Sequence, residues 1–167
     1  MAGLRHGFFL LIELLLKVCI LPKLRARLLS LLGAQIGRNV RIYSCRLINL
    51  ESGFQNLKVA DDVHIGTDCL LDLKGPIVIG RGSTLSPRVV VISHSDPGSA
   101  HSSPLAKLYP PEALGVQIGD FCWLGANVCV LSGSRIGDKT VVGAMSLVKG
   151  DLSPGIVCGG IPARPLI

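Results

Sequence analysis

Between Ile118 and Lys149 the chain repeats every six residues. Aliphatic side chains stand at Ile118, Leu124, Val130, Ile136, Val142 and Val148, and Gly follows at 119, 125, 137 and 143. A period of six fits neither the 3.6 residues of a helix nor the two of an ordinary strand. It predicts a parallel β-helix, in which each six-residue unit is one short side of a triangular coil and three units close a turn of roughly 18 residues. The aliphatic residue points to the axis. The small residue after it takes the corner, where a Cβ would crowd. Successive coils then stack at about the strand spacing of ~4.8 Å.

The same pattern extends over residues 34–167, enough for about five coils of an all-β solenoid. It begins at Ile36, Ile42 and Ile48, breaks over Glu51–Leu57, and resumes at Val59, Ile65 and Leu71. At Lys74-Gly75-Pro76, a turn signal, it slips by two residues and resumes at Ile79, Leu85 and Val91. Residues 93–117 carry no period and hold four of the ten Pro. A loop of that length inside a regular solenoid is uncommon and usually functional, so chemistry is expected there.

Residues 1–33 form a separate apolar and basic segment, predicted as two helices. Glu13 and Lys17 are spaced i,i+4 and can pair, Pro22 suits a helix start, and Gly33 suits a helix end. Residues 1–46 hold eight basic residues and one acid, Glu13, while the remainder carries nine basic and ten acidic residues. The basic excess is thus terminal, and it does not describe a nucleic-acid surface. Two readings of residues 4–32 stand side by side: a peripheral contact with an anionic membrane face, and a cap over the open end of the coil or against a sister subunit. The apolar run is short and charged for a membrane span and lacks a small-residue cleavage site. The six Cys are scattered without metal-site or disulfide spacing and read as reduced apolar filler in a cytoplasmic protein.

Four segments together resemble the hexapeptide-repeat acyltransferases, of the sugar and polysaccharide O-acetyltransferase type. They are the repeated aliphatic-Gly hexads, Ser93-His94-Ser95-Asp96-Pro97, the run from Trp123-Leu124-Gly125-Ala126 to Ile136-Gly137, and Val142-Gly143-Ala144 with the closing Gly159-Gly160-Ile161-Pro162-Ala163-Arg164. The resemblance implies a left-handed coil, a homotrimer with active sites between subunits, acetyl-CoA as acyl donor, a saccharide acceptor and no metal. It implies a His at the extended loop as general base, and a neutral imidazole is suited to take a hydroxyl proton near neutral pH. His94 matches that position, with His101 the runner-up, and Asp96 is expected either to orient the imidazole or to serve as a turn residue. It implies CoA contacts at Trp123, Gly125, Ala126, Gly143 and Ala144, with Lys149 and Arg164 towards the phosphates. This sequence has Lys149-Gly150-Asp151 where many members have Thr-Lys-Asp, and Asp68 is the only polar substitute near the family's acceptor-binding Asn. The sugar-type N-terminal domain is replaced by the basic apolar segment, which points to an acceptor held at the inner face of the cytoplasmic membrane.

Rival readings remain. His64, His94 and His101 are the candidates for a metal in a γ-type carbonic anhydrase, although their spacing does not match that family. A non-catalytic structural subunit would keep the hexads alone, and N-transfer to an amino sugar stays within the enzyme class. No Gly-rich phosphate loop precedes the repeats, which disfavours nucleotide-sugar synthesis.

Overall fold

The computed structural model describes residues 2–166, with side chains from residue 7. Met1, Ile167 and the side chains of residues 2–6, Arg5 among them, lie outside the described residues. Two helices come first, α1 (Ala2–Lys17) and α2 (Pro22–Leu31). The chain then winds into coils. The first holds β1 (Gln35–Ile36), β2 (Arg41–Ile42) and β3 (Arg46–Ile48), and the second β4 (Leu57–Val59), β5 (His64–Ile65) and β6 (Leu70–Asp72). The third holds β7 (Ile77–Ile79), β8 (Thr84–Leu85) and β9 (Val90–Val91), and the fourth β10 (Val116–Ile118), β11 (Trp123–Leu124) and β12 (Cys129–Val130). The fifth holds β13 (Arg135–Ile136), β14 (Val141–Val142) and β15 (Leu147–Val148). β16 (Asp151–Leu152) and β17 (Val157–Gly159) begin a sixth coil, and β18 (Arg164–Pro165) folds back antiparallel on β17. Each strand pairs in parallel with its counterpart one coil on, giving three faces of six, seven and five strands. The expected five coils are therefore five complete ones and a partial sixth.

The hexad residues fill the axis: Ile118, Leu124, Val130, Ile136, Val142 and Val148 are all buried. In the first coil the phase differs by one. Leu47, not Ile48, points inward, because Leu47 lies opposite the buried Leu71. The corner glycines are needed for stacking rather than for torsion. A Cβ on Gly137 would lie 2.5 Å from Pro154 N. The left-handed backbone falls instead on Asp62, Asp68, Arg88, Phe121, Asn127, Lys139 and Met145, all with positive φ. All six Cys are free, and burial pushes the Cys45 and Cys69 thiols up to about 12 and about 11, which suppresses the reactive thiolate.

The helices cover the open end of the coil. A first coil presents unpaired N–H and C=O groups along its outer edge. Glu13 accepts from Leu47 N–H at 3.3 Å, and the buried Arg25 donates to Cys45 O at 3.5 Å. Arg25 also donates to Leu16 O and Cys19 O at the end of α1, where a cation complements the helix dipole. α2 closes on Gly33, whose φ of 106° allows the bonds Gly33 N–H to Ser30 O and Ala34 N–H to Leu29 O.

The extended loop leaves after β9 and returns at β10. Val116, Gln117 and Ile118 lie opposite Ile77, Val78 and Ile79, so the loop ends at Gly115 rather than at Gln117. It contains a one-turn 3-10 helix (Ser99–His101) and α3 (Leu105–Leu108). The coil re-enters in register because the loop's two ends are tied together: Gly115 donates to Ser93 O at 3.0 Å.

Candidate active site

The loop begins at the third corner, where the third face turns into the first. Ser93 is buried there, and its carbonyl accepts from Ser132 Oγ at 2.8 Å as well as from Gly115. Its hydroxyl accepts from Gly75 N–H at 2.7 Å. Two residues further, Ser95 and Glu112 exchange two backbone bonds of 2.8 and 2.9 Å across the loop. His94 stands between these two clamps, so its backbone is fixed although it lies in a loop.

The imidazole of His94 meets a buried carboxylate. Nδ1 lies 2.5 Å from Asp72 Oδ2, with the His94 side chain 25% exposed and Asp72 fully buried. Asp72 ends β6, one coil below. Its Oδ2 also accepts from the N–H of Ser93 at 2.9 Å, the hydroxyl of Ser93 at 3.1 Å and the N–H of His94 at 3.2 Å. Its Oδ1 accepts from Asn49 Nδ2 at 2.8 Å and Lys74 N–H at 3.2 Å. Burial alone would raise the Asp72 pKa. Hydrogen bonds from Asn49, His94, Lys74 and Ser93 outweigh it and hold the group below the ordinary carboxylate value. An ionised Asp72 on Nδ1 favours the tautomer with its proton there, leaving Nε2 as the basic nitrogen.

This corrects one expectation. The carboxylate on the His94 ring belongs to Asp72, not Asp96. Asp96 is exposed and bonds Gly98 N–H, Ser99 N–H and Ser99 Oγ at 2.9, 2.7 and 2.6 Å, which makes it the turn residue of the loop. Its own pKa is lowered, chiefly by Ser99. His101 is exposed at the end of the 3-10 turn, and His64 lies on β5 against the Tyr43 ring at 5.1 Å. The three candidate metal-binding His side chains thus sit in three separate settings. Among the described residues no group of His, Cys, Asp or Glu is arranged to hold a metal.

The other expected site residues gather at the second corner. Its backbone stacks directly from coil to coil: Asp68 N–H to Ser44 O at 2.6 Å, Arg88 N–H to Thr67 O at 2.9 Å, Asn127 N–H to Pro87 O at 3.2 Å and Met145 N–H to Ala126 O at 2.9 Å. Gly125 and Ala126 belong to this column in the fourth coil, with Gly143 and Ala144 directly above. A Cβ on Gly125 would lie 2.6 Å from Ala144 N. Trp123, 55% exposed, flanks the column and is held by Nε1–H to Ser86 Oγ at 3.0 Å. The exposed cations Lys149 and Arg164 lie further on, Lys149 just past β15 and Arg164 on β18. Asp68 is exposed on the same column, two coils below Ala126.

Within one chain, then, the structure brings together Trp123, Gly125, Ala126, Gly143 and Ala144, and leaves His94 across the width of the third face. Asp72 was missed from sequence. Its signal was an acid inside the apolar run Leu70-Leu71-Asp72-Leu73, which has no packing rationale.

Comparison with known proteins gives consistent matches. The family described as bacterial transferase hexapeptide (six repeats) matches residues 115–150. A colanic acid biosynthesis acetyltransferase assigned in Escherichia coli (strain K12) is 37% identical over 145 residues, covering 86% of this chain and 74% of the relative. A protein of the same strain assigned as a lipopolysaccharide biosynthesis O-acetyl transferase is 36% identical over 115 residues, covering 65% of this chain and 56% of that relative. Among solved structures, a hexapeptide-repeat acetyltransferase from Vibrio cholerae matches with a TM-score of 0.83 at 22% identity, covering 99% of this chain and 91% of its own. A structure of that protein with acetyl coenzyme A matches with a TM-score of 0.74 at 21% identity, covering 99% and 87%. The likeness in fold is to the left-handed parallel β-helix.

Proposed function

The chain belongs to the hexapeptide-repeat acetyltransferases, and we propose that it carries acetyl from acetyl-CoA to a hydroxyl of a sugar in a surface-polysaccharide precursor, with His94 as general base. The His94–Asp72 pair carries this reading. Nε2 takes the proton of the acceptor hydroxyl as its oxygen attacks the thioester carbon, and Asp72 stabilises the resulting imidazolium. The proton then passes to the departing sulfur. A general base of this kind contributes about 10²–10⁴-fold.

The second corner fits the donor. The small residues Gly125, Ala126, Gly143 and Ala144 leave backbone open to a pantetheine arm, the Trp123 ring walls one side, and Lys149 and Arg164 supply cations for the phosphates. Asp68, exposed lower on the same column, is our candidate to bond the acceptor sugar.

A base at one corner and a donor column at another make a complete site only between chains. We read the protein as a homotrimer on that ground. The outward residues of the third face above the exposed Arg46 of β3 support it: Leu70, Val90, Cys129 and Leu147 stack in register, apolar and half-buried. A face open to water would carry polar residues. Residues 4–32 meet the inner face of the cytoplasmic membrane peripherally, and the acceptor is held there.

The test is acetyl-CoA-dependent thiol release with a panel of sugars and lipid-linked saccharides, for wild type and His94→Ala. Loss of about 10²-fold or more in kcat with CoA binding retained is expected. Full activity in His94→Ala would move the role to His101. Absence of both transfer and CoA binding in wild type would favour the structural-subunit reading.

A further inference from the structure

Helix α1 has two apolar sides. Phe9, Ile12, Glu13 and Leu16 face the coils, with Phe9 edge-on to the buried Phe54 at 5.6 Å. The opposite side carries Phe8, Leu10, Leu11, Leu14 and Leu15, followed by Val18 just past the helix end, each between 44% and 76% exposed. The linker to α2 adds exposed Ile20 and Leu21. A helix apolar on both sides is stable where its second side also leaves water. The surrounding charge has one sign. Glu13, the single acid in residues 1–46, is buried and paired to Lys17 at 3.2 Å, whereas Lys17, Lys23 and Arg27 are exposed. Among the described residues no helix is long and apolar enough to cross a membrane.

We propose that this side of α1 seats in the headgroup–acyl boundary of an anionic bilayer, with Lys23 and Arg27 against lipid phosphates. The proposal deepens the membrane contact named above and rests on that reading for the side of the membrane. A second copy meeting this side across a two-fold axis is the poorer occupant, because the exposed cations Lys17, Lys23 and Arg27 would meet their own kind, the single acid of residues 1–46, Glu13, being buried. The seating also fixes a height. His94 closes the third coil, two coil spacings or about 10 Å above the coil that α1 covers. Adding ~8–10 Å of packing between helix and coil, the imidazole stands about 20 Å from the helix axis. That height suits the first sugars of a saccharide carried on a lipid.

Flotation with vesicles of phosphatidylcholine, with and without phosphatidylglycerol, tests the surface. Wild type should float with the anionic vesicles, less so at high salt, and the double variant Leu11→Glu, Leu14→Glu should bind at least about 10-fold more weakly. In Leu14→Trp, fluorescence should shift to the blue and be quenched by brominated acyl chains. Trp123, the only native Trp, stands on the fourth coil and should not respond. No flotation of wild type, or equal flotation of the double variant, would overturn the proposal. So would a fall in oligomer mass in the double variant without any vesicle binding, which would assign the surface to a second copy. Acetyl-CoA binding by calorimetry in the same samples separates the two readings: its retention alongside failed flotation would sink the membrane proposal alone.

Discussion

Asp72 receives six hydrogen bonds within the fold, and only one comes from the His94 ring. The other five hold the carboxylate before the imidazole is placed, so its position does not depend on the ring. Asp72→Asn would keep the shape but offer an amide that can donate to Nδ1 and shift the proton to Nε2. We expect kcat to fall on the order of 10²-fold or more, with KM for acetyl-CoA little changed; a matching fall in CoA affinity would mean that the substitution had damaged the fold instead. The depressed pKa of Asp72 also has a stability consequence. With the folded value below the unfolded one, its contribution is fully present above about pH 4 and is lost as pH falls through the folded value. Acid unfolding monitored by circular dichroism should therefore begin at higher pH in wild type than in Asp72→Asn, measured relative to each protein's neutral stability. His94 was legible from sequence because its segment resembles a known one. Asp72 was not, because it lies 22 residues away and meets His94 only through a coil lengthened by the slip at Lys74-Gly75-Pro76. Asp96 was the nearer carboxylate in sequence, and proximity along the chain gave the wrong partner.

At the scale of the coil, the hexad carries two kinds of information, and they separate at the corners. The inward aliphatics were legible because each is dictated by the same narrow axis. The one-residue offset at Leu47 was not, because Leu47 and Ile48 are equally apolar and only pairing with Leu71 distinguishes them. The glycines also differ among themselves in a way that the pattern hides. Gly137 has Pro154 N at 2.5 Å from an added Cβ, whereas Gly143 has its nearest neighbour, Cys158 O, at 3.4 Å. Neither carries a positive φ. Gly137→Ala should therefore cost about 2 kcal/mol, or ~4–8 °C in Tm, because backbone one coil on must shift. Gly143→Ala should change stability by less than about 0.5 kcal/mol. Thermal melts of both variants check this, and equal losses would mean that coil spacing is not what selects Gly. The buried charges in the helices follow the same logic: Glu13 and Arg25 look misplaced in an apolar segment until the unpaired edge of β3 and the Cys45 carbonyl are seen beneath them.

For the whole molecule, the separation of His94 from the donor column decides how many chains make a site. If the third corner of one chain meets the second corner of the next, two different inactive variants can complement each other. His94→Ala removes the base and leaves the column intact. Ala144→Tyr, at an exposed position, blocks the column and leaves the base intact. In a cyclic trimer assembled from equal amounts, an interface has an intact base on one side with probability one half, and an intact column on the other with the same probability. Roughly a quarter of the interfaces are then native, so unfolding and refolding the two variants together should restore about a quarter of wild-type activity. Either variant refolded alone should restore none. A site contained within one chain predicts no recovery in the mixture, because every chain would then lack one of its two parts. Recovery near a quarter would also fix the stoichiometry of the site as one base and one column from neighbouring chains, since a site needing two columns would fall to about an eighth.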